Sequence, residues 1–519
     1  MNTQTFERGG RLALFNLAVG LGTFIQVLDS SIANVAVPYI AGNLSVSADQ
    51  GTWVITSFAA TNALVLPLTG WLSDYFGRVR LFVWSVILFA ITSFLCGLAT
   101  SLTMLVILRS IQGAVAGSLI PLSQSLMLLN NPPEKRGTAL GFWGMIVIVA
   151  PILGPIIGGY LTYNYSWPWI FYINVPIGFF SAFLTWYFLK DKESEINKYP
   201  INWVGLFFLS VGIIALQVML DRGKDLDWFE SNTIIILTIG SIISLIYFGI
   251  INYYQKHLII DFSFFKNRNF AVGTFAITVG FLLYFTSAVI VPLWLQTEQN
   301  YTATWAGIAV APVGVVPFFA APFVGKYMRK FDLRVVVALS FFLFALSFFY
   351  QSRFTTQVSI GQIMLARFFQ GFGVTLFFLP LVDLSLAEIP PEKYASAAGL
   401  FNFMRILVGS GFGTSLSIEL WTRLEIFHHA RLTEYSTSFR HVTIQFFEML
   451  SMRSSFLPFT NDVINQILDQ QTEQQAFMLS TNDLAWLAGW LFIGMIPLVF
   501  IAKRVKTATL PPKTASAHG

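Results

Sequence analysis

Stretches of about twenty apolar residues recur from Leu12 to Ala502, and they dictate what this chain can become. A bilayer core roughly 30 Å thick is crossed by about 20 residues of helix at 1.5 Å each, so every such stretch has the length of a membrane span. Composition agrees. Only 11% of residues are charged, against about 25% in an ordinary soluble protein, so most of the surface must face lipid. A soluble multidomain enzyme could not hide this much apolar surface. We therefore expect an all-α integral membrane protein with helices near 12–37, 52–72, 81–99, 103–128, 138–162, 169–189, 203–220, 233–253, 270–295, 305–324, 335–352, 360–385, 395–420 and 484–502.

The distribution of charge matters more than the net +5. With the amino terminus placed in the cytoplasm, most Lys and Arg sort to that side, including Arg11, Arg78, Arg80, Lys135, Arg136, Lys326, Lys330, Arg334 and Lys503. Few fall outside, such as Arg222, Lys224, Arg353 and Arg423. An odd helix count would scramble this asymmetry, so the positive-inside rule favours fourteen helices with both termini cytoplasmic. The run from Leu12 to Val37 is too long for a cleavable signal and reads as the first span. The single cysteine, Cys96, excludes an intrachain disulfide framework and cysteine-based zinc clusters.

An internal repeat organises the chain. Trp53–Arg78 aligns with Trp305–Lys330, and Arg109-Ser-Ile-Gln112-Gly113 returns 258 residues later as Arg367-Phe-Phe-Gln370-Gly371. Two six-helix halves, residues 1–190 and 261–519, would then flank two inserted helices in residues 191–260. A polar, Gln-rich segment at about 422–483 is expected as a long external loop, with partner docking as its functional reading.

Between the second and third spans lies Gly70-Trp-Leu-Ser-Asp74-Tyr-Phe-Gly77-Arg78. The glycines allow close helix approach and a tight turn, while Asp74 can pair with Arg78 or with a helix N-terminus. This pattern resembles the loop signature of the major facilitator superfamily, in which it gates the transport cycle. The first span carries Asp29-Ser-Ser-Ile-Ala-Asn34, which resembles the signature of the fourteen-helix drug:proton antiporters. An intramembrane carboxylate costs several kcal/mol if ionised and unpaired, so Asp29 should face the bundle interior, where it suits a proton carrier. Arg109, in a motif similar to the superfamily's Arg-x-x-Gln-Gly, is placed by helical rise at a similar depth to Asp29 and is expected to modulate its protonation, with Gln112 supporting the network. Gly154-Pro155-Ile-Ile-Gly158-Gly159 gives the fifth helix a smooth face, and resembles the motif of antiporters in this superfamily, implying export.

Asn34, Arg367 and Arg405 are weaker candidates for contact with substrate or coupling groups, and the drug cavity is expected from centre-facing aromatic and Met side chains. Asp383 and Glu419 are expected close to the membrane interfaces, and Asp221-Arg222-Gly-Lys224 as an external turn. Thr52–Phe58, Pro121–Ser125, Leu220–Lys224 and Thr302–Gly307 are similar to stretches of the EmrB-type multidrug exporters. That resemblance implies proton-driven efflux of lipophilic small molecules across a bacterial inner membrane, together with a periplasmic adaptor protein and an outer-membrane channel. Within transport, the alternative is a dedicated exporter of one endogenous molecule, such as a siderophore or fatty acid. The five histidines show no HExxH spacing and no Walker A pattern is present, so neither metal catalysis nor direct ATP drive is expected. No cofactor, metal site or nucleic-acid partner is expected; the proton gradient is the energy source.

Overall fold

The computed structural model describes residues 9–504 apart from 133–134, 256–257, 436–440, 442–443, 446–447 and 450–460. Among the described residues the chain is helical without strands. The first half runs α1 (Gly10–Asn43), α2 (Trp53–Phe76), α3 (Arg78–Gly97), α4 (Leu102–Asn130, loosened at Gly117), α5 (Arg136–Asn164) and α6 (Asn174–Leu189). Then come α7 (Trp203–Arg222) and α8 (Asn232–Tyr253). The second half runs α9 (Arg268–Thr297), α10 (Ala303–Val310 and Pro312–Tyr327), α11 (Leu333–Gln351) and α12 (Ile360–Leu386). It closes with α13 (Tyr394–Phe403 continuing to Tyr435) and α14 (Asn461–Val499).

Among the described residues eleven helices are long and apolar enough to cross a membrane, and thirteen if the bent α5 and α10 each count as one span. The helix absent from that count is α13, whose outer part carries Glu419, Arg423, Glu425 and two histidines and is too polar to read as a span by composition.

Local chemistry sets the helix ends. Ser101, Asn267 and Thr302 accept hydrogen bonds from backbone N–H groups of the first turns of α4, α9 and α10. Ser359 and Gln362 form a reciprocal capping box at the start of α12. Bends fall where hydrogen bonding is interrupted: α5 turns by 44° between Pro151 and Ile156, and α10 by 40° before Pro312.

In the first half α1 packs on α5 and α6, and α2 on α4; in the second, α11 packs on α12 and α14, and α10 on α12. The halves meet where α2 lies against α13 and α5 against α10. The inserted pair is not a separate unit, since α7 packs on α2 and also touches α13. Asn16 on α1 and Asn131 after α4 exchange hydrogen bonds, and the Ala502 carbonyl accepts from Arg334 beside the α10–α11 loop. Both ends of the described chain therefore lie at the end of the bundle that carries the α2–α3 loop.

The expected external loop at about 422–483 is mostly helix in its described parts. The 39 residues of α14 span roughly 58 Å, almost twice the hydrocarbon thickness. Its outer part pairs with α13 through His428 to Asp483 (2.8 Å) and His429 to Asp469 (3.2 Å). Polar residues misled the loop expectation because a solvated helical hairpin needs no continuous apolar face.

At the opposite end, Asp332 caps α11. Hydrogen bonding from Arg334 outweighs the opposing effect of burial and holds the Asp332 carboxyl below its ordinary 3.8. The lowered folded value means that this contribution is present above about pH 4 and lost as pH falls through that value. Asp332→Asn should flatten the acid limb of a thermal-melting profile between pH 3 and 7, by an amount worth less than about 1 kcal/mol for so local a pair.

Candidate functional site

The most deeply buried charges in the first half are brought together. Asp29 on α1 is fully buried, and Arg109 on α4 donates to its Oδ2 at 2.5 Å. Arg109 also donates to Gln112 Oε1 (2.8 Å) and to the Val54 carbonyl on α2 (3.1 Å). Its guanidinium lies 4.3 Å from the centre of the Phe58 ring, which adds a cation–π contact. Oδ1 of Asp29 accepts from Gln112 Nε2 (3.3 Å) and from Asn174 Nδ2 at the start of α6 (2.9 Å). The Asn174 amide in turn reaches Ser93 on α3 at 3.1 Å. One carboxylate therefore ties α1, α4 and α6 directly, and α2 and α3 through its partners. Each donor is oriented for the charged form, and adding a proton to Asp29 would remove the attraction that holds Arg109. Asn174 and Ser93 were not legible as site residues, because a single Asn or Ser near a helix end reads as an ordinary cap.

The second half repeats the cation but not the anion. Arg367, like Arg109, donates to the Gln three residues on, Gln370 Oε1, at 2.5 Å. Where Asp29 would recur 258 residues later stands Ser287, whose hydroxyl and carbonyl accept from Arg367 at 2.7 and 3.0 Å. Ser93 recurs as Gln351, which accepts from the Ser287 hydroxyl at 2.8 Å. The repeat keeps the geometry and replaces the titratable group by neutral acceptors.

Between the halves lies a cavity of about 1340 Å³ whose lining reaches helix ends at Asp221, Gln296 and Thr304, remote from the α2–α3 loop. Its aromatic wall is Phe58, Tyr160, Phe281, Tyr284, Phe285 and Phe378, and among the described lining residues there is no Met. Arg109, Arg367 and Arg405 line it, whereas Asp29 does not. Arg405 sits in a π-helical segment, Met404–Gly411, stacked 5.0 and 5.2 Å from the Phe281 and Phe378 rings. It finds no carboxylate among the described residues; it donates instead to Asn402 Oδ1, and Asn402 reaches Gln124 of the first half at 2.7 Å. Asp221 is not in an external turn: it is the penultimate residue of α7, on the cavity wall. Asn34 is exposed and is not among the lining residues.

Towards the α2–α3 loop the cavity is closed by helices touching at glycines. A Cβ on Gly70 would overlap Ser396 of α13, and one on Gly399 would come 2.6 Å from the Leu66 carbonyl of α2. On the other side, Gly137 and Gly141 of α5 meet Gly325 and Ala321 of α10 backbone to backbone. Gly77 has φ +87°, and a Cβ there would collide with the Glu193 carboxylate. That carboxylate, not Asp74, caps α3, accepting from the N–H groups of Val79 and Arg80 at 2.9 Å each. Asp74 and Arg78 lie close enough for each to favour the other's charged form, as expected, and in addition the buried Arg78 guanidinium donates across the interface to the Glu392 carbonyl just before α13. Glu193→Gln should lose about 1 kcal/mol of stability through the weakened cap, read as a lower melting temperature in detergent.

Comparison with known proteins decides the family. The Major Facilitator Superfamily profile matches residues 19–414. The multidrug export protein EmrB of Haemophilus influenzae is 45% identical over 96% of this chain and 96% of its own. The chain belongs to the EmrB-type branch of the major facilitator superfamily. The fatty acid resistance protein FarB of Neisseria gonorrhoeae is equally similar, 45% identical over 96% of this chain and 97% of its own. In fold it is similar to a human organic anion transporter, MFSD10, with a TM-score of 0.54 at 12% identity, covering 93% of this chain and 100% of that one.

The remaining motif residues lie on helices. The α5 glycines face α1 immediately beyond the ion pair: a Cβ on Gly154 would lie 2.6 Å from Ser31 Cβ, and one on Gly158 would lie 2.7 Å from Ile32 Cγ1. Ser31 fixes this contact by donating to the Pro151 carbonyl at 2.7 Å. Gly159 lines the cavity, with nothing within 4 Å of an added Cβ, and the Pro155 side chain lies outside the described residues. Gly154→Ala should therefore impair transport by 10-fold or more while Gly249→Ala on α8, away from the cavity lining and with nothing within 4 Å of an added Cβ, leaves it within twofold, in one assay on variants of matched expression. Asp383 is buried inside α12, and Glu419 pairs with Arg423 one turn on. No group able to hold a metal occurs among the described residues.

Proposed function

We propose that this chain is a proton-driven exporter of hydrophobic drugs and toxic compounds, working by alternating access in a bacterial inner membrane. The observation that carries this reading is the buried Asp29–Arg109–Gln112–Asn174 network, whose Arg109 reaches the wall of a large aromatic cavity that is closed at one end. Protonation of Asp29 releases Arg109, loosens the joint between five helices and permits the glycine contacts at the α2–α3 end to part. Deprotonation restores the seal. Fourteen helices cross the bilayer in this reading, α13 included, with the α2–α3 loop and both termini on the cytoplasmic side, so the cavity faces outward.

The helical extension of α13 and α14 is the surface for a periplasmic adaptor, which links the transporter to an outer-membrane channel. The EmrB relative is named for multidrug export, and that name supports the substrate class.

A second reading, dedicated export of an endogenous lipophilic acid, is favoured by Arg367 and Arg405, which line the cavity without a carboxylate among the described residues, and by the similarity to FarB. Proteoliposomes with an imposed pH gradient, offered lipophilic drugs and fatty acids, separate the readings. Gradient-dependent accumulation of several drugs is expected. Accumulation of none, or accumulation indifferent to the gradient, overturns proton-driven drug export; fatty acids alone would establish the second reading.

A further inference from the structure

The inserted pair α7–α8 has no counterpart in the two related halves, yet α7 supplies part of the cavity wall. Gln217 and Asp221, one turn apart on α7, both line it. Gln217 Nε2 donates to Asp221 Oδ1 at 2.9 Å, and no cation pairs with Asp221 among the described residues. The neighbouring Arg222 points elsewhere, donating to Thr52 at 3.0 Å and lying 3.7 Å from Asp225. The end of α7 is anchored beside the π-helical segment that carries Arg405: Ser415 of α13 donates to the Leu220 carbonyl at 2.8 Å.

Around one aromatic cavity the charges are therefore divided. Arg367 and Arg405 come from the second half, Asp221 comes from the insert, and the third arginine, Arg109, is already neutralised by Asp29. An unpaired carboxylate beside apolar and aromatic surface attracts a lipophilic cation, while an unpaired arginine attracts a lipophilic anion. We propose that Asp221 on the inserted helix is the cation-recognising residue of the substrate cavity, opposed by Arg405 as its anion-recognising residue, so that the insert sets which charge of lipophilic substrate the transporter accepts. This rests on the export reading only in taking this cavity as the substrate site.

Two probes of nearly the same shape and opposite charge, tetraphenylphosphonium and tetraphenylborate, test it. Binding to the detergent-solubilised full chain is measured by equilibrium dialysis against a detergent blank. The wild type should bind both. Asp221→Asn should weaken the phosphonium at least 10-fold and leave the borate unchanged or tighter; Asp221→Glu should restore the cation, and Arg405→Gln should show the reverse selectivity. Loss of both probes in Asp221→Asn at an unchanged melting temperature, or failure of the wild type to bind either, overturns the proposal. If Asp221→Asn is poorly folded, Asp221→Ser decides: weakened phosphonium binding with the borate retained supports the proposal, and equal loss of both probes, or loss of neither, at an unchanged melting temperature overturns it. Because binding needs no gradient, a charge split found alongside absent transport would overturn the export reading and leave this one standing.

Discussion

Asp29→Asn should abolish the ability of a pH gradient to drive substrate uphill. If one proton is exchanged per substrate without net charge movement, each pH unit supplies about 1.4 kcal/mol, enough to sustain roughly a 10-fold substrate gradient. Proteoliposomes held two units apart should reach about 100-fold accumulation with the wild type and none with Asp29→Asn. Downhill exchange of substrate should survive, because Asp29 does not line the cavity. The variant also leaves Arg109 buried without its counter-charge, at a cost of about 3–5 kcal/mol, so a stability control is needed. Asp29→Asn combined with Arg109→Gln should recover most of the melting temperature and still fail to couple. Uphill transport by either variant would remove Asp29 from the mechanism. Arg109→Lys should not substitute either, since one ammonium cannot reach Asp29, Gln112 and the Val54 carbonyl in the directions that the guanidinium spans.

The second large effect is expected at the glycine seal. A Cβ on Gly141 would lie 2.7 Å from the Ala321 carbonyl oxygen and 3.1 Å from Gly325 Cα, and these are backbone atoms that cannot rotate away. Gly141→Leu should therefore push α5 off α10 and disfavour the conformer seen here. A clash costing about 3 kcal/mol shifts a two-state balance by about 100-fold. Cysteines introduced on the cavity walls near the α2–α3 end, in a Cys96→Ser background, should become accessible from that end, while outward accessibility falls. Gly249→Ala on α8 is the control, since it does not line the cavity and nothing lies within 4 Å of a Cβ there. An unchanged accessibility pattern in Gly141→Leu would show that the α5–α10 contact does not govern the conformer.

The membrane class, the two related halves and the depth of Asp29 and Arg109 follow from sequence, because helical rise and apolar length are local properties that one chain displays on its own. Three-dimensional packing decided what lies across from what. Sequence spacing puts Asp74 beside Arg78, but only packing brings the Glu392 carbonyl to the Arg78 guanidinium and Glu193 to the α3 cap, each more than 100 residues away along the chain. Asn174 completes the shell of Asp29 from a helix end where its type reads only as a cap. The absence of an acid opposite Arg367 was visible as Ser287, yet it gained meaning only once the two arginines were seen to occupy matching positions. Asp221 was assigned to a turn because charge clusters usually mark loops, and the docking of α7 against α2 and α13 turned it into a cavity wall. Apolar periodicity therefore determined that this chain crosses a membrane as repeated helices. Only tertiary structure decided which polar side chains meet, because a buried charge takes its partner from whichever helix packs against it, and sequence distance carries no record of that choice.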